Sequence, residues 1–170
     1  KLASYLGRPP EFFFMREPPR EDPIPSYRRS TFGGADAPRS ARESAAVRRA
    51  ENIREMASWL AQNQGADRVE WPDVSNSPAE QASRFRTFLD WSIRDDQVKA
   101  TSKAATFRRL RQSVEALGVV VIVEDVGLSS SRGFSLADPY APLIFINDAA
   151  RLASVRTYTL LHEVAHLMRG

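Results

Sequence analysis

The sequence predicts an α+β fold, on three observations. Apolar residues recur at three- and four-residue steps between Ser40 and Leu117, the period of amphipathic helices. The pattern then switches to short β-branched apolar runs, "VVVIVED" from Val119 and "LIFIN" at 143–147, which read as buried strands. The final stretch, "TLLHEVAHLMRG", is helical again and holds His162 and His166, the two histidines of the chain.

Each element has a local reason. "KLASYLG" places Leu2, Ala3 and Leu6 on one helical face before Gly7, and Pro9 and Pro10 then break the helix ahead of an apolar cluster, Phe12, Phe13 and Phe14. From Met15 to Pro38 the chain carries Pro18, Pro19, Pro23, Pro25 and Pro38 with Gly33 and Gly34, the composition of an extended linker. A helix is expected between Ser40 and Gln64 through Val47, Ala50, Ile53, Ala57 and Leu60, with Gly65 as its stop. Ser77 is a natural N-cap, with Pro78 in the first helical position and Glu80 three residues after the cap. That helix is expected to reach Ser92, and a third to run from Ser102 to Leu117 with Gly118 ending it. Three strands follow, beginning at Val119, at "FSLA" and at "LIFIN", expected to pair as an antiparallel sheet. The last helix spans Leu152 to Met168. Trp59, Trp71 and Trp91 lie in or beside helices and read as core anchors.

Composition bounds the function. The chain has 170 residues, 42% of them apolar and 26% charged, enough for one sizeable core. It contains no cysteine, which excludes disulfides and thiolate metal sites and fits a cytoplasmic setting. No apolar run approaches the ~20 residues needed to cross a bilayer. The start lacks a signal-peptide pattern. The formal charge of +3 is too small to argue nucleic-acid binding by itself. "RRAENIRE" and "FRRLRQSVEA" mix charges at helical spacing, the pattern of a solvated helix face.

The chemistry lies in His162-Glu163-Val164-Ala165-His166. On a helix the two histidines project only ~40° apart, one turn from each other, so both imidazoles can reach one ion. Glu163 lies ~100° round from His162, off the metal axis but within reach of a water on it. Such a site supports metal-assisted hydrolysis, with zinc as the metal and Glu163 as the general base. The plainer alternative is two surface histidines beside a solvated glutamate. A catalytic zinc takes a third protein ligand; Asp125, Asp138 and Asp148 are upstream candidates, and a ligand beyond Gly170 is the favoured expectation. Arg156 reads as a salt-bridge or surface residue, Asn147 as a turn residue, and Ser135 as no nucleophile, since it has no further histidine as partner.

"RGFSL", "PLIFIN" and "RTYTLLHEVAHLMRG", in that order, resemble the ImmA/IrrE family of metallopeptidases. The matching positions are Gly133, Phe134, Ser135, Ile146, Asn147, Arg156, Tyr158, Thr159, His162, Glu163 and His166. Ala165 and Leu161 depart from the family's usual glycine and alanine. The resemblance implies a zincin-like metallopeptidase domain over residues 39–170, C-terminally incomplete, with the third zinc ligand on a later helix. "LASYLGRPPEFFF" is similar to the end of an Xre-type helix-turn-helix domain, which implies a remnant of such a domain over 1–15 and a linker over 16–38. It further implies a repressor or antitoxin-like protein as substrate and DNA as partner of the missing head. The alternative it leaves open is a DNA-binding regulator whose metallopeptidase-like body is a sensor or a homodimerisation module.

Overall fold

The computed structural model describes residues 13–15, 40–74 and 77–169. The helix expected before Phe12 and the linker expected over 16–38 lie outside the described residues. Of the phenylalanine cluster, Phe13 and Phe14 are described and both are exposed, Phe14 almost fully.

Among the described residues, four α-helices and three strands form three layers. Helix α1 spans Ala41–Asn63 and is capped by the Ser40 hydroxyl, which accepts from the Glu43 backbone N–H at 3.0 Å. Helix α2 spans Pro78–Phe88, with Ser77 as N-cap as the sequence predicts. It stops four residues earlier than expected, because Asp90 takes a positive φ of 50° and turns the chain. A short π-helical segment, Ile93–Val98, follows where the sequence analysis assigned no element. Helix α3 spans Lys103–Glu115 behind the Ser102 cap. Strands β1 (Val120–Glu124), β2 (Gly133–Leu136) and β3 (Leu143–Asn147) precede helix α4, Ala153–Arg169. No helix among the described residues is long and apolar enough to cross a membrane.

The sheet is mixed, not antiparallel. Its order is β1-β3-β2. β3 pairs parallel with β1, Val120 opposite Leu143, and antiparallel with β2, Phe134 opposite Phe145. The reason is burial. All five residues of "LIFIN" are buried, so this strand takes the middle, where both its edges and both its faces are covered. The chain leaving β1 therefore crosses to the far edge before β2 turns back into β3.

Alternation sorts the side chains. Leu143 and Phe145 join Val120, Ile122, Phe134 and Leu136 on one face, against Ala46, Val47 and Ala50 of α1. Phe134 and Phe145 stack there at 4.8 Å between centroids. Ile144 and Ile146 join Val121 on the other face, against Phe107, Leu110 and Val114 of α3 and Leu160, Val164 and Leu167 of α4. Trp71 and Trp91 pack against this second cluster as expected. Trp59 does not: it is 66% exposed beside Met56 and Leu60 on the outer face of α1.

Candidate metal centre

The apolar period of α4 fixes which way the motif faces. Leu160, Val164 and Leu167 turn into the core against α3 and the sheet. Thr159 and Glu163, also buried, turn toward β2. His162 is left half-buried and His166 exposed on the remaining side. The apolar neighbours Leu160, Val164 and Leu167 are therefore the core side of the helix and not a wall around the histidines. Tyr158 is the aromatic neighbour on the histidine side, stacked on His162 at 6.0 Å and 15°.

The two imidazoles converge. Nε2 of His166 lies 3.1 Å from Nε2 of His162, with the rings at 84° to each other. At that separation one ring nitrogen donates to the other, or both direct lone pairs at a common cation. Two nitrogens on a tetrahedral zinc, each at 2.0–2.1 Å, would sit about 3.3 Å apart. The observed separation is close to that value.

Glu163 is held from the sheet. Strand alternation that sends Phe134 and Leu136 toward α1 sends Gly133 and Ser135 toward α4. The Ser135 hydroxyl donates to Glu163 Oε2 at 3.1 Å. Gly133 is what lets the helix approach: a Cβ there would stand 2.5 Å from Thr159 Cγ2 and 2.7 Å from the Phe145 carbonyl. The acid of the motif is thus a buried carboxylate clamped between strand and helix, not a solvated one.

The three upstream aspartates are committed elsewhere. Asp125 accepts from the Gly127 N–H and closes a turn. Asp138 accepts from the Tyr140 and Ala141 N–H groups in the β2–β3 connection. Asp148 pairs with Arg156 at 3.1 Å. None is brought to the histidines, and no group of three metal-ligating side chains occurs among the described residues.

The remaining motif residues support this frame. Asn147 ends β3 and ties down the loop before β2: its amide nitrogen donates to the Gly127 and Ser131 carbonyls, and its oxygen accepts from the Val126 and Ala149 N–H groups. Its turn role is as expected, but wider. Arg156 forms the expected salt bridge and also lies over the Phe107 ring at 5.2 Å, joining α4 to α3. Sequence reasoning missed the link from Ser135 to Glu163. The signal was present in the alternation of "GFSL", two large apolar residues interleaved with two small ones.

Comparison of the chain with protein-family models, curated proteins and solved structures returns no match.

Proposed function

We propose that this chain carries the catalytic helix of a zinc-dependent endopeptidase acting on a regulatory protein of the repressor or antitoxin type. The observation that carries the reading is the 3.1 Å convergence of the His162 and His166 Nε2 atoms beside a buried, strand-held Glu163. His162 and His166 would hold the metal, with a third ligand from outside the described residues. Zinc, when bound, supplies a Lewis acid that polarises a substrate carbonyl and makes a water acidic near neutral pH. Glu163 would accept the proton from that water on its carboxylate and return it to the departing amine. Ser135, donating to Oε2, keeps the carboxylate in one orientation while its proton load changes. Among the described residues β2 pairs with β3 on one side and with no strand on the other, an edge to which an extended peptide could add as a further strand.

Equilibrium dialysis against zinc tests the first part. Uptake should be lost when both histidines are replaced by alanine, and equal uptake by that variant would sink the reading. Glu163→Gln tests the second: zinc should stay bound while hydrolysis of the partner protein falls by ~10² or more. Undiminished cleavage would remove Glu163 from the role of base.

A further inference from the structure

A cavity of about 390 Å³ opens at the head of α4, at the end of β2 nearest the chain's entry into that strand. Its walls are Leu128, Ser129, Arg132, Ala149, Ala150 and Val155. Two further lining residues, Ser130 and Asn147, spend their polar groups within the protein, Ser130 on the Val126 carbonyl and Asn147 on the loop it ties down. The interior therefore offers an incoming group mainly apolar surface. Leu128 stands 71% exposed at the cavity, an apolar side chain facing solvent. Arg132 is exposed, and its guanidinium has no hydrogen bond or ion pair among the described residues. An apolar hollow beside an uncommitted cation fits a ligand that is apolar at one point and anionic next to it.

The position of the cavity says what kind of ligand. Val155 and His162 are seven residues apart on α4, hence within ~20° of each other around the helix and separated by about 10 Å along it. Arg132 immediately precedes β2, the edge strand whose Ser135 reaches Glu163. The cavity and the histidines thus lie along one line, flanked by the β2 edge and by the Val155–His162–His166 row of α4. An extended peptide rises about 3.3 Å per residue. A chain lying on that line would cover the distance in about three residues.

We propose that this cavity is a side-chain pocket for a peptide substrate, taking a bulky apolar residue about three positions from the scissile bond, with an acidic neighbour paired to Arg132. The proposal rests on the reading of α4 as a peptidase helix, and it supplies that reading with a sequence preference. Val155, Ala149 and Ala150 define the apolar floor, and Arg132 sets the charge of the neighbour.

The test is an NMR titration of the isotopically labelled chain with short glycine-serine peptides. One peptide carries adjacent leucine and aspartate, a second serine and aspartate, a third leucine and lysine. The leucine–aspartate peptide should shift the Val155, Ala149 and Ala150 amides and bind about tenfold or more tightly than the serine–aspartate peptide. Arg132→Glu, a surface change that leaves the core untouched, should reverse the preference between aspartate and lysine. Val155→Trp should reduce the leucine–aspartate peptide to the affinity of the serine–aspartate one. Equal binding of all three peptides, or an unchanged charge preference in Arg132→Glu, would overturn the proposal. So would shifts of these amides that depend on protein concentration without peptide, which would assign the cavity to a second copy of the chain. Replacing both histidines with alanine separates the two readings. Peptide preference that survives in this variant, with zinc uptake by the unsubstituted chain no greater than by the variant, leaves the pocket standing while the metallopeptidase falls. Zinc uptake without any peptide preference does the reverse.

Discussion

At Gly133 the sheet and α4 come so close that one methyl group decides the fit. An added Cβ would meet a side-chain methyl of Thr159 and, at 2.7 Å, the Phe145 carbonyl, which belongs to the central strand and cannot step aside. Gly133→Ala should cost about 1–3 kcal/mol and lower the melting temperature by several degrees in a thermal unfolding scan. A variant melting with the wild type would mean that the helix has slack at this contact. Ser135→Ala removes the donor to Glu163 without adding bulk. Under the proposed function zinc uptake should stay as it is, while hydrolysis falls about tenfold or more, the order expected for losing a hydrogen bond to a charged group. Wild-type turnover in Ser135→Ala would show that the carboxylate is oriented by something else. The spacing of His162, Glu163 and His166 was legible in the sequence because helix geometry alone sets it. The burial of Glu163 was not, because a helical wheel gives an angle and cannot say that a strand covers it.

Among the elements, helix starts were the most legible. Ser77 was readable as a cap because a side-chain acceptor, a proline and an acidic residue follow one another locally. Helix α2's end was not readable, since the chain turns at Asp90, a non-glycine residue at positive φ, with the Trp91 N–H closing on the Arg86 carbonyl and no glycine or proline to signal it. Strand identity was readable from composition, but strand pairing was not, because the partner of β1 lies beyond β2 in the chain. Helix α1 shows how an element is tied to the site at long range. Glu43 takes the position from which a side chain could reach back to the N-cap, yet it accepts the Ser131 N–H at 3.1 Å, in the loop leading into β2. Both residues are buried. Glu43→Ala leaves that amide without its acceptor and should cost about 1–3 kcal/mol. Hydrogen exchange should quicken at Ser131 ahead of the α3 amides; unchanged protection at Ser131 would count against the tie.

For the whole molecule, Asp138 links the layers. Burial raises its pKa, but the Ala141 and Tyr140 N–H groups, the Ser58 hydroxyl and the Arg54 charge outweigh this, and the net result lies below the ordinary value of 3.8. Ser58 and Arg54 come from α1, so the carboxylate joins the long helix to the β2–β3 connection. A lowered folded pKa means that the native state holds its proton less tightly than the unfolded chain. The stability it contributes is fully present above the ordinary aspartate range and is lost as pH falls through the lowered value. Asp138→Asn should therefore be less stable than wild type at neutral pH, with the gap closing below pH ~4 in denaturant titrations. A gap independent of pH would place its origin in shape, not charge. On α1 two expectations fail at its C-terminal end: Leu60, the last residue of the expected apolar stripe, and Trp59, read as a core anchor, are both exposed.

The strand order carries a consequence for how the chain reaches this shape. β3 leaves the ribosome after both of its neighbours, yet its place is between them. Until it inserts, β1 and β2 have no partner in the finished pairing, and the face that carries Gly133 and Ser135 is not yet assembled. The hairpin of β2 with β3 needs only a short connection to close, whereas the parallel contact with β1 must enclose the whole intervening segment. Folding speed should accordingly depend on when β1 docks. Mutations that weaken the parallel pair, such as Val121→Ala, would then slow refolding more than equally destabilising changes in α2.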